Sequence, residues 1–209
     1  MKTFILLAGV SLSLVAGEIA GDYISTIVEK GSKTTSSYME TTFSKDGKLY
    51  IMSMPVGSWK EDKANHTLTI NSLFGSGKPE LNKIIKNDNK ELVLKSGQDI
   101  VHYMKIDKDK ALQNNKKAPF LGSWQIKSNP SVSESFTLKL PNNFSYIKDD
   151  KKENTTKKIN GSWYYFPDKN TLIISSFDNT IHGKNTIKQL SKDMIVLENS
   201  NKKITATKK

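Results

Sequence analysis

This sequence predicts an all-β fold made of two tandem copies of one unit. Three observations carry that reading. The phrase "GSWKEDKANHTLTI" at 57–70 returns as "GSWYYFPDKNTLII" at 161–174, and a third Gly-Ser-Trp stands at 122–124. Apolar and polar residues alternate with period two in "HTLTINS" and "NTLIISS", as a half-buried strand requires. Turn-forming groups punctuate the chain at Asp46-Gly47, Pro141-Asn142-Asn143 and Pro167-Asp168-Lys169-Asn170. No window holds a helical period over three turns. Each unit therefore reads as an antiparallel meander of about eight short strands, closed into a barrel or folded as a sandwich.

The elements of the two copies follow in the same order. "IAGDYIST" at 19–26 answers to "FLGSWQIK" at 120–127. "TFSKDGKLYI" at 42–51 has the plan of "KLPNNFSYI" at 139–147: apolar residues, a turn, then aromatic or apolar residues again. The Gly-Ser-Trp phrases come next. "IIKNDNKELVL" at 84–94 then matches "IKQLSKDMIVL" at 187–197, each ending in a short apolar strand after a polar turn. In "DIVHYMKID", Ile100, His102, Met104 and Ile106 share one strand face, and Val101 and Tyr103 the other. The units run over 18–109 and 119–209. Residues 110–118, polar and followed by Pro119, read as a linker.

Residues 1–17 read as a secretory leader. Lys2 supplies the positive start, Phe4 to Ala16 the apolar run, and Val15-Ala16-Gly17 the small residues for cleavage after Gly17. The run is too short for a stable span, and no later stretch approaches the roughly 20 apolar residues a span needs. The expectation is an exported chain of the periplasm or the medium. There is no cysteine, so neither a lipoprotein anchor nor a disulfide is expected. Stability must come from a core.

The formal net charge is +11, unevenly placed. Residues 18–109 balance 13 Lys against 13 acids, while 119–209 carry 15 Lys against eight. Every basic residue is Lys. Without Arg there is no bidentate fork for guanine edges or phosphates, which argues against sequence-specific nucleic-acid binding. "KDDKKENTTKK" at 148–158 and the tail "NKKITATKK" admit a weak contact with an anionic envelope surface. The plainer reading is a solubilising surface.

The succession Gly-x-Trp, Phe-rich strand, turn, aromatic strand, second Gly-x-Trp, Leu-x-Ile strand and "ELVL"-type strand resembles the short lipocalin-like domains of bacterial exported proteins. Gly122, Trp124, Gly161, Trp163, Leu172, Ile174, Ile195 and Leu197 carry it in the second unit. Gly57, Trp59, Leu68, Ile70, Leu92 and Leu94 carry it in the first, where Gly21-Asp22-Tyr23 replaces the opening Gly-x-Trp. Avidin-like barrels share that opening. The resemblance implies two small calycin-type meander barrels. Physically, the glycine admits a close neighbour and the Trp two residues on fills the same face. Trp59, Trp124 and Trp163 are therefore expected in the core.

Motifs for chemistry are few. His66, His102 and His182 are isolated; His66 and His182 are expected in solvent and His102 in the core or a pocket. "SLFGSGKPE" lacks the first glycine and the hydroxyl of a phosphate loop. Asp149-Asp150 sits among lysines as a hairpin, and Asp107-Lys108-Asp109 lacks the other ligands of a calcium loop. No catalytic residue, metal or cofactor is expected. The resulting expectation is a non-enzymatic binding protein for a small apolar or amphipathic ligand at a barrel mouth. Tyr50, Tyr103, Tyr146 and Tyr165 are the candidate wall residues. The alternative is a structural or protein-interaction module of the bacterial envelope with filled barrels.

Overall fold

The computed structural model describes residues 18–74, 77–128, 130–200 and 202–209. The leader read at 1–17 lies outside the described residues. The first eight strands are β1 (Gly21–Lys30), β2 (Lys33–Phe43), β3 (Lys48–Ile51), β4 (Met54–Asp62), β5 (Thr67–Ser72), β6 (Glu80–Asn87), β7 (Glu91–Ser96) and β8 (Asp99–Ile106). A helix, α1 (Lys108–Lys116), follows. The second eight are β9 (Gly122–Ile126), β10 (Val132–Lys139), β11 (Asn143–Asp150), β12 (Thr155–Phe166), β13 (Thr171–Ser176), β14 (Gly183–Leu190), β15 (Met194–Asn199) and β16 (Lys202–Lys208). Each set closes on itself as an antiparallel barrel: β8 returns to β1, and β16 to β9. The fold is thus two closed eight-stranded barrels in tandem, and the sandwich alternative falls away. Among the described residues, no helix is long and apolar enough to cross a membrane.

The repeated phrase has the same mechanics in both copies. A methyl group on Gly57 would stand 2.1 Å from the Asn71 carbonyl oxygen, and one on Gly161 2.2 Å from that of Ser175. Only glycine lets β4 and β12 approach their neighbours so closely. Two residues on, the Trp59 indole N–H donates to the Ser44 carbonyl at 3.1 Å, and that of Trp163 to the Lys139 carbonyl at 3.0 Å. Each Trp so ties its strand to the preceding hairpin. The opening strands are equally matched. Trp124 donates its indole N–H to the Phe120 carbonyl, and Tyr23, in the first copy, donates its hydroxyl to the Ile19 carbonyl, both at 2.9 Å. Tyrosine replaces tryptophan without loss of the bond, so the departing Gly21-Asp22-Tyr23 closes its barrel all the same.

The interiors differ. Inside the second barrel Phe120, Trp124, Phe136, Tyr146, Trp163 and the inward aliphatics of β12–β16 form one buried cluster. Its lumen is filled. The first barrel buries Ile19, Tyr23, Phe43, Leu49, Leu68, Leu92 and Leu94, while Trp59, Ile70, Ile84 and Tyr103 remain half-buried. Four edge-to-face aromatic contacts among Tyr23, Phe43, Trp59 and Tyr103 hold that looser core.

The segment read as a linker is largely α1. Asp107 caps it, its carboxylate accepting the Lys110 N–H at 3.0 Å, so the Asp107-Lys108-Asp109 triplet is a helix start. Ala111 faces a cluster between the barrels. Asn115 is fully buried against β12. Its amide donates to the Pro141 and Trp163 carbonyls, at 2.9 and 3.0 Å, and its carbonyl accepts the Tyr165 N–H at 2.9 Å. The strand register of β12 with β11 reaches no further than Ser162, and beyond it this one side chain takes the Trp163 carbonyl and the Tyr165 N–H.

The barrels dock through outer faces. Ile24, Ile106, Ala111, Tyr164 and Ile173 form the buried cluster between them, with Tyr38, Met104 and Phe166 against it. The difference between the two copies of the phrase is thereby explained. Tyr164 and Phe166 point out of the second barrel onto the first, whereas Lys60 and Asp62, at the matching positions, face solvent.

Candidate functional site between the barrels

Where β2 faces β12 and β13, the contact opens into a groove of about 550 Å³. Its inner end is built on Glu40, an outward residue of β2 that is 3% exposed. A carboxylate taken from water requires partners, since an uncompensated buried charge costs several kcal/mol. The Glu40 carboxylate has them from two elements, and a third holds its backbone. The Ser162 hydroxyl of β12 donates to Glu40 Oε2. Lys108 Nζ, from the first turn of α1, stands 3.4 Å from Glu40 Oε1 and 3.4 Å from Asp22 Oδ1. The backbone N–H of Glu40 donates to Ser175 Oγ of β13 at 2.6 Å. Asp22 also accepts the Thr42 hydroxyl at 2.6 Å.

The electrostatics follow from this geometry. Partial burial works against the Lys108 ammonium, but Asp22 and Glu40 outweigh it and hold its pKa above the usual lysine value. Burial, reinforced by the negative charge of Glu40, lifts the Tyr164 phenol well above its ordinary range. That hydroxyl stays neutral and accepts an N–H from Asn142 at 3.1 Å. Two carboxylates, Glu40 and Asp22, share the Lys108 ammonium at the base, and the exposed Lys158 adds a second ammonium to the groove lining.

The outer end sets apolar side chains beside the exposed Lys158 and Asn160. Met54 is 47% and Phe177 55% exposed, and both line the groove. Met52 and Ser53, the turn between β3 and β4, line it too, with φ of 49° and 64°. Left-handed backbone at two successive non-glycine residues is unfavourable and belongs to the tight hairpin turn usually given to Asn-Gly. The Met52 N–H, bonded to the Glu40 carbonyl at 2.9 Å, ties that turn to the base of the site. Local sequence preference yields here to the shape of the groove.

The four candidate tyrosines are not brought together. Tyr103 stands inside the first barrel, where burial and then the charge of Glu80 push its phenol up to about 12. Tyr146 is buried in the second barrel, its hydroxyl donating to Glu134 at 2.8 Å. Tyr165 packs edge-on against Phe120 at 5.0 Å between centroids. Tyr50 pairs with Thr42, on the face of β3 opposite to inward Leu49. Of the Gly-x-Trp residues, Trp124 and Trp163 are fully buried and Trp59 half-buried; Gly161 alone reaches the groove.

The histidines depart from expectation. His102 lies on an outer face, its Nε2 3.0 Å from Glu29, so it is neither a core nor a pocket group. His182 is not solvated: its Nε2 donates to the Ser37 carbonyl of the first barrel at 2.6 Å, and its Nδ1 is buried with no partner. His66 is exposed at a turn, as expected. None of the three reaches the Ser162–Glu40 pair. Among the described residues there is no cluster of metal-ligating side chains.

No family model matches the chain, and neither a curated protein nor a solved structure matches it.

Proposed function

We propose that the chain is an exported, non-enzymatic binding protein that holds a small amphipathic ligand in the groove between its barrels. One observation carries the reading: a single concavity joins the buried Glu40–Ser162 pair and its half-buried partner Lys108 to the apolar side chains of Met52, Met54 and Phe177. A ligand head that donates hydrogen bonds, such as an amine, suits the Glu40 carboxylate at the base, and its apolar portion lies along Met52, Met54 and Phe177. For the apolar portion the groove is preferred to a barrel lumen, because side chains fill the second lumen. The resemblance of both units to lipocalin-like domains and the secretory leader expected at 1–17 support an envelope or extracellular binding role.

The test is native mass spectrometry of residues 18–209 purified from the host under non-denaturing conditions. The wild-type chain is expected to carry an added small-molecule mass. Asn160→Trp, at an exposed position lining the groove, is expected to lose it while keeping its thermal midpoint. In titrations, a long-chain alkylamine should bind at least about tenfold more tightly than the matching carboxylate. A bare wild-type mass with no alkylamine binding would favour the structural-module alternative.

A further inference from the structure

The mouth of the second barrel is charged in two layers. The strand register places Phe136, Tyr146 and Ile159 in one inward row, and Glu134, Lys148 and Lys157 in the next row outward. Lys202 joins them from β16, and Thr180 from the connection between β13 and β14. Together they enclose a cavity of about 340 Å³. The two lysine-rich stretches of the sequence thus meet at one opening.

The acidic layer lies below. Glu134 is buried, 9% exposed, and its Oε1 accepts the Tyr146 hydroxyl at 2.8 Å and the Thr180 hydroxyl at 2.9 Å. These bonds hold the carboxylate down against the aromatic row. The lysines are long, and their stems carry the ammonium groups outward. Lys157 Nζ donates to the Asp178 carbonyl at 3.0 Å, its carboxylate lying 3.9 Å away and fully in solvent. Among the described residues, Lys148 and Lys202 form no ion pair. The first barrel has no such layer. Its β3 has four residues against eight in β11 and turns at Met52-Ser53, before any position equivalent to Lys148.

This order of charge selects a ligand class. A plain anion that passes the lysines meets the Glu134 carboxylate. A plain cation meets three ammonium groups first, with the Asp178 carboxylate alone among them to offset their charge. A molecule that leads with an ammonium and trails a phosphate satisfies both layers. We infer that the second barrel mouth binds a zwitterionic phosphoryl-amine head, with its ammonium against Glu134 and its phosphate among Lys148, Lys157 and Lys202. The site shares no residue with the groove between the barrels and does not depend on it. The head group is available either on a free small molecule or on a lipid of the envelope surface.

Calorimetric titration of residues 18–209 at low salt with O-phosphorylethanolamine, inorganic phosphate and ethanolamine tests this. O-phosphorylethanolamine is expected to bind at least about tenfold more tightly than either fragment. The double variant Lys148→Met, Lys202→Met should weaken it at least about tenfold. Glu134→Gln keeps a carbonyl oxygen for Tyr146 and Thr180, so an unchanged thermal midpoint is expected with the preference over phosphate gone. Asn160→Trp should leave the binding unchanged. Equal affinity for phosphate and O-phosphorylethanolamine, or no binding of the latter, would overturn the proposal. Co-sedimentation distinguishes the sources. Binding to phosphatidylethanolamine vesicles, competed by the soluble head group, assigns the lipid; soluble binding without sedimentation assigns the free molecule.

Discussion

Gly161 and Trp163 sit two residues apart and do opposite things, one by being small and the other by being large. A methyl group on Gly161 would collide with backbone on the neighbouring strand, at 2.2 Å from the Ser175 oxygen. Gly161→Ala should therefore lower the urea midpoint by the equivalent of about 1–3 kcal/mol, the usual range for forced overpacking. Trp163 is 0% exposed and binds the Lys139 carbonyl. Trp163→Ala removes that bond and much of a buried surface of roughly 150–250 Å², for an expected loss of about 3–5 kcal/mol. A wild-type urea midpoint in this variant would dismiss its role as a core plug. Both roles were legible in the sequence, because a glycine and an aromatic residue at spacing two share a strand face. The histidines were not. Nothing local to "TIHGK" announces that His182 meets Ser37, which lies 145 residues earlier.

At the scale of elements, α1 shows what strand periodicity conceals. Nine polar-leaning residues with only Ala111 and Asn115 buried present no apolar stripe, so the segment reads as a linker. The one signal available was Asp107 at a cap position ahead of Lys108. The helix acts through Asn115 more than through burial. Asn115→Ala leaves the Trp163 carbonyl and the Tyr165 N–H without their partner at a fully buried position. Each group so orphaned costs about 1–3 kcal/mol. The expected outcome is a lower thermal midpoint with faster hydrogen exchange at Tyr165. Wild-type exchange there would show that water or backbone replaces the side chain. The strands themselves were readable because period two is written into each, and the repeat doubled every signal.

At the scale of the whole molecule, the contact between barrels is expected to respond to pH through His182. Burial holds the His182 pKa below its ordinary 6.5, although the Ser37 carbonyl and the charge of Asp178 oppose the shift. A depressed histidine pKa means that the unfolded chain takes up a proton before the folded one does. Its stabilising contribution is complete above about pH 6.5 and is lost as the pH falls below that value toward the folded pKa. Urea midpoints at pH 8 and pH 5.5 should differ, and His182→Gln should reduce the difference; an unreduced difference would place the pH effect elsewhere. The groove was invisible in the sequence for a related reason. Glu40 and Ser162 are 122 residues apart, in units whose docking the repeat does not specify. That docking joins non-equivalent faces of two related units, β12 and β13 of one against β1 and β2 of the other. A head-to-tail contact of this kind has no inherent end and propagates into a fibre whenever each unit carries both halves of it. Here each unit carries only one. The first barrel has Lys60 and Asp62 in place of Tyr164 and Phe166, and the second has Gln125 and Ser135 in place of Ile24 and Glu40. The two copies therefore differ at the very positions the contact uses, and neither carries both halves of it.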